Sequence, residues 1–144
     1  MPPDLNSILF MTSAIALMLG FGLVLARRVL ADVMSEVAPL AAVSLLFGFA
    51  FACFEHGNLE GSPLWLLAGN LLIFACAVMF HMTLCALFDQ PSRMRFTLLV
   101  AAASWLGGLW YTLGTPSLAG RAVLFGSGLL AILLTTLAGL FLHW

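Results

Sequence analysis

The sequence predicts an all-α polytopic membrane protein, a five-transmembrane-helix antiparallel bundle with its N-terminus outside and its C-terminus inside. Three observations point there. Only eleven of the 144 residues are Asp, Glu or Arg, and there is no Lys. Those charges leave five uncharged runs, 5–26, 37–54, 61–88, 96–120 and 122–144, of 22, 18, 28, 25 and 23 residues. A hydrocarbon core about 30 Å thick needs about 20 apolar residues in a helix, so every run can span it. The arginines, finally, are distributed unevenly between the connections. Hydrophobic residues make up 63% of the chain and charged residues 8%, where soluble domains carry about 25% charge. This composition excludes a soluble globular domain and a disordered chain. Without a basic patch the chain is no nucleic-acid binder. The runs are continuously apolar, unlike the alternating strands of a membrane β-barrel.

The first helix is predicted over 5–26. Its N-terminal flank holds Asp4, and Arg27-Arg28 follow the apolar run. A cleaved signal peptide has the opposite charge order, so this helix is expected to be retained. The second helix is predicted over 38–54, with Pro39 in its first turn, where a missing N–H costs nothing. The third, over 63–88, opens with Ser62 as N-cap and Pro63 behind it, and closes at the turn Asp89-Gln90-Pro91-Ser92. The fourth is predicted over 96–112. The turn Gly114-Thr115-Pro116-Ser117 follows, with Ser117 as N-cap of a fifth helix over 118–143. Connections of roughly 5 to 11 residues make successive helices antiparallel neighbours and leave one membrane domain, 1–144.

Arg27, Arg28, Arg93 and Arg95 fall in the first and third connections, and Arg121 alone beside the fourth. The positive-inside rule then places the C-terminus in the cytoplasm. Trp65 and Trp110-Tyr111 form the outer aromatic belt, and Trp144 lies at the inner face. Small residues mark the packing faces, most clearly Ser127, Ala131, Thr135 and Gly139 on the fifth helix. This stripe serves either packing within the subunit or a homodimer face. Cys53, Cys76 and Cys85 show no metal or disulfide spacing and read as packing residues.

His81 is the sharpest candidate for chemistry, because an ionisable residue within a membrane helix is a functional candidate by default. As a haem ligand it needs a partner at similar depth. It sits roughly 10 Å above the inner end of its helix, so His143 and His56 match it poorly. A neutral histidine bonded to a neighbouring helix is the competing reading. Asn70 is expected to make an interhelical hydrogen bond. The segment 54–61 reads first as a solvated outer loop carrying Glu55, His56 and Glu60, with binding a cation, responding to pH, or pairing with Arg121 as the functional alternatives. The ligand count falls short of a metal site. No catalytic motif occurs and the helix interiors hold no Asp, Glu, Lys or Arg, so neither an enzyme nor an ion-coupled transporter is expected.

Three stretches carry a likeness: Ser62-Pro63-Leu64-Trp65 through Asn70, Leu87-Phe88-Asp89-Gln90-Pro91, and Leu109-Trp110-Tyr111 through Pro116-Ser117 to Arg121. Together they resemble the N-terminal multi-helix membrane region ahead of the catalytic domain in bacterial GGDEF diguanylate cyclases. The resemblance implies a sensory or anchoring input module in the bacterial inner membrane. Its output would be a cytoplasmic cyclase, working as a homodimer and making cyclic di-GMP. No Gly-Gly-Asp/Glu-Glu-Phe motif is present, so no cyclase activity attaches to these residues. The chain stops at His143-Trp144 directly after the fifth helix, which suggests an excised region or a stand-alone relative. The alternatives are an accessory subunit of a larger membrane complex, and a haem or quinone protein using His81. The expected partners are the lipid bilayer and a second copy or a complex subunit, with no cofactor required.

Overall fold

The computed structural model describes residues 4–29, 38–91, 93–115 and 117–141. Five α-helices occupy them: α1 Leu5–Val29, α2 Ala38–Glu60, α3 Pro63–Leu87, α4 Met94–Leu109 and α5 Leu118–Phe141. A π-helical turn, Trp110–Gly114, continues α4. No strand occurs among the described residues. Five segments are long and apolar enough to cross a membrane: Leu5–Ala26, Ala38–Glu60, Pro63–Leu87, Met94–Gly114 and Ala119–Gly139. The fold is therefore all-α and multi-pass. Pro116, His143 and Trp144 lie outside the described residues.

Local chemistry sets each helix end. At α1, the Ser7 N–H donates to Asp4 Oδ1 at 2.7 Å, an N-cap. That bond holds the Asp4 carboxyl below its usual range, so a negative charge sits at the positive end of the helix. The helix runs past its apolar segment to Val29, since arginine is a good helix former.

The second helix departs most from expectation. Residues 55–60 are its last turns, not a loop. The stop comes at Gly61, whose φ of 65° is the left-handed conformation that suits glycine. Across it the Ser62 N–H reaches the Gly57 carbonyl at 3.1 Å, the long bond of a Schellman cap. Pro63 then opens α3 as expected. The two helices are joined by only Gly61 and Ser62.

The same device ends α3. Asp89 has φ 51°. The Gln90 N–H bonds the Cys85 carbonyl at 2.8 Å and the Asp89 N–H the Ala86 carbonyl at 3.4 Å, with Pro91 beyond. Helix α4 begins two residues before the expected position and closes in the π turn, where the Thr115 N–H bonds the Trp110 carbonyl. Ser117 caps α5 as expected, its Oγ accepting from the Gly120 N–H at 3.1 Å.

The chain groups into two compact units, 1–76 and 77–144. In the first, α1 and α2 pack antiparallel through reciprocal notches, Leu17 against Gly48 and Leu45 against Gly20. A Cβ on Gly48 would stand 2.7 Å from Leu17 Cγ and 3.0 Å from its backbone nitrogen. The Ser13 hydroxyl donates to the Gly48 carbonyl at 2.9 Å in the same contact. In the second unit, α4 and α5 also run antiparallel. Leu124 and Phe125 of α5 fill the space over Gly107 and Gly108, and Tyr111 covers Gly120. Outward positions are large and apolar, as with Met18 at 74% and Val123 at 71% exposure. Apolar surface of this extent suits a lipid surround.

Candidate functional site

A buried polar group in the second unit is built on two helices. Helix α3 supplies His81 and Cys85, four residues apart and so on one face. Helix α5 supplies Thr136. His81 is 2% exposed, and Cys85 and Thr136 are buried with it. His81 Nδ1 lies 2.9 Å from Thr136 Oγ1. The Thr136 hydroxyl donates to the Ile132 carbonyl at 2.8 Å. Its single proton is therefore committed, and it must accept from His81. The proton of the neutral ring thus resides on Nδ1, leaving Nε2 as acceptor. Nε2 is 3.7 Å from Cys85 Sγ, a weak thiol donor. Donation runs in one direction, from Cys85 through His81 and Thr136 to the backbone of α5. Both ring nitrogens of His81 are engaged by the protein. His143, the inner histidine weighed as a second haem ligand, lies outside the described residues.

Cys85 and Thr136 were not legible as site residues. Cys85 carried a signal in its i+4 spacing from His81. Thr136 adjoins Thr135, and periodicity chose the neighbour. The buried stripe of α5 is Gly128, Ile132 and Thr136, one residue on from the predicted Ser127, Ala131, Thr135 and Gly139. Ser127 is exposed, Thr135 bonds its own Ala131 carbonyl, and a Cβ on Gly139 would meet nothing within 4 Å.

A second polar group ties the α2–α3 turn. His56 Nε2 lies 3.0 Å from Glu60 Oε1, and these side chains are 51% and 52% exposed. Trp65 Nε1 donates to Glu60 Oε2 at 3.1 Å. The His56 and Trp65 rings meet edge to face at 5.0 Å. Helical geometry explains the departure from the expected loop, since His56 and Glu60 are one turn apart. Glu55 is half-buried and has no ion-pair partner among the described residues. No three His, Cys, Asp or Glu come together to hold a metal ion there.

Asn70 also differs from expectation. Its Nδ2 donates to the Leu66 carbonyl of its own helix at 2.9 Å, not across to a neighbour. A turn of backbone already offers an acceptor at i−4, which satisfies the amide locally. Arg121 is half-buried in the first turn of α5, and its Nε has no hydrogen-bond partner among the described residues. Cys53, Cys76 and Cys85 are free thiols, with Cys76 donating to the Val43 carbonyl at 3.5 Å.

The fold and its apolar surface define an all-α multi-pass membrane protein. No family model matches the chain, and neither does any curated protein or solved structure.

Proposed function

We propose that the chain is a non-catalytic sensory or anchoring module of the bacterial inner membrane that passes a stimulus to a cytoplasmic output through α5. The observation that carries this reading is the buried bond from His81 of α3 to Thr136 of α5. In an apolar interior a broken bond of this kind leaves polar groups unsatisfied, so a shift of α5 against α3 would have to exchange it for another bonded arrangement. A stimulus that binds the two arrangements unequally shifts their populations and so moves α5. Glu55, His56, Glu60, Asn70 and Arg121 are the candidates for receiving it. The arginine distribution supports an outer N-terminus and a cytoplasmic C-terminus. The resemblance to the input regions of diguanylate cyclases supplies the kind of output, a dimeric cyclase making cyclic di-GMP.

The test fuses a dimerisation-dependent reporter after α5. Thr136→Val and His81→Leu should each change the reporter signal while membrane insertion stays normal. Wild-type signal from both variants, or a periplasmic location of the fusion, overturns the reading. The partly exposed stripe of Ser127, Ala131, Thr135 and Gly139 favours a second reading, an accessory subunit seated against a partner in a membrane complex. A partner that co-purifies in fixed ratio, and is lost in Gly139→Leu, selects that alternative.

A further inference from the structure

An open cleft of about 650 Å³ lies at the start of α4, lined by Arg93, Met94, Arg95, Phe96 and Thr135. It falls within the second unit and involves neither His81 nor the turn cluster. We propose that this cleft binds the phosphate of an anionic phospholipid, with Arg93 and Arg95 as cationic donors and Met94 and Phe96 against the acyl chains.

Four observations converge on that ligand. The cleft carries two guanidinium groups and no carboxylate. Both arginines are exposed, and neither side chain has an ion-pair or hydrogen-bond partner among the described residues, where the one acid–base contact is His56–Glu60. A guanidinium presents a planar fork of donors that matches phosphate oxygens in pairs. Helix α4 also starts without a side-chain cap, and its first backbone bond is from the Thr97 N–H to the Arg93 carbonyl. The N–H groups of Met94, Arg95 and Phe96 are thus left facing the same end of the helix. Thr135 adds no competing donor, because its hydroxyl is given to the Ala131 carbonyl at 2.7 Å.

Position distinguishes a lipid from a free anion. The apolar segment of the fourth span begins at Met94. The arginines therefore stand at head-group level, while Phe96 and its neighbours enter the hydrocarbon. A ligand meeting both needs charge at one end and chain at the other. Basic clefts between membrane helices take acidic lipid head groups on the same grounds.

The experiment uses the full chain in nanodiscs of phosphatidylcholine doped with phosphatidylglycerol. Lipids retained after release into mild detergent are measured by native mass spectrometry. Phosphatidylglycerol should be retained over phosphatidylcholine, and Arg93→Gln with Arg95→Gln should lower that retention about tenfold. Helicity by circular dichroism must stay unchanged. The paired Arg→Lys variant should fall between wild type and the Gln variant, because the charge remains and the paired fork is lost; retention as low as in the Gln variant overturns the charge argument. Arg121→Gln, in the first turn of α5, should have no effect. Equal retention of the two lipids, an unchanged preference in the Gln variant, or an equal loss in Arg121→Gln overturns the site. Inorganic phosphate that displaces the lipid at comparable concentration overturns the lipid assignment and leaves a free-anion site.

Discussion

The two antiparallel helix pairs, α1–α2 and α4–α5, both use glycine notches, and they differ in what the notch meets. In α1–α2, a Cβ at Gly48 or Gly20 would meet the Cγ and Cδ2 of Leu17 or Leu45 and behind them backbone, the nitrogens of Leu17 and Leu45 at 3.0 and 3.1 Å. Backbone in a helix cannot swing aside. In α4–α5, the atoms over Gly107 and Gly108 are the outer carbons of Leu124 and Phe125. Those side chains can change rotamer. A small residue therefore has two meanings in a membrane bundle: it sets a rigid spacing when it faces backbone, and an adjustable one when it faces a side-chain tip. The adjustable pair contains α5, the helix proposed to move.

The largest expected effect breaks this contrast at its rigid side. Gly48→Ala should destabilise the first unit by about 2–3 kcal/mol, whereas Gly107→Ala should cost less than about 1 kcal/mol. Unfolding of purified protein in detergent compares them, and equal losses would erase the distinction. Next is the His81–Thr136 bond. Thr136→Val should cost about 1–2 kcal/mol by leaving Nδ1–H without an acceptor. A double-mutant cycle with His81→Leu should show coupling of about 1 kcal/mol. Additive losses would mean that the bond carries no energy of its own. Smaller again is the exposed clamp at the α2–α3 turn. Trp65→Phe removes the bond to Glu60 and should cost about 0.5 kcal/mol, decreasing in salt as exposed charge interactions do. The smallest change concerns Asp4. Its carboxyl titrates below the usual range, so the cap is intact above about pH 4. It is lost as pH falls through the lowered value, and Asp4→Asn should abolish that dependence. Amide exchange at Ser7 reports it.

Most of the fold was legible because a membrane span leaves few options. A stretch of about 20 apolar residues in lipid must satisfy its backbone internally, so it must be helical. Pro63 and Ser117 marked helix starts by chemistry that acts locally. Polar Glu55, His56 and Glu60 suggest a loop at the end of α2, but the stop is set by Gly61, two residues before Pro63, and the helix continues through them. On α5, a four-residue repeat of small residues identified a face but not which way it pointed. The two candidate stripes are one residue apart, and only packing chose between them. His81 was visible because an imidazole in an apolar run stands out. Its partner on α5 was not, since nothing in a threonine announces that it meets a histidine 55 positions away.

The two-residue turn between α2 and α3 has a mechanical consequence. With a left-handed glycine and a proline separated only by Ser62, the joint has little slack along the helix axis. Sliding α2 along its axis past α3 would have to break the Ser62–Gly57 bond. A tilt about Gly61 would ask less of the joint. A rod of 23 residues is about 34 Å long, and a tilt of about 10° would carry its far end about 6 Å sideways. In the proposed signalling role, a displacement of α2 would act as leverage, largest at the end opposite the turn.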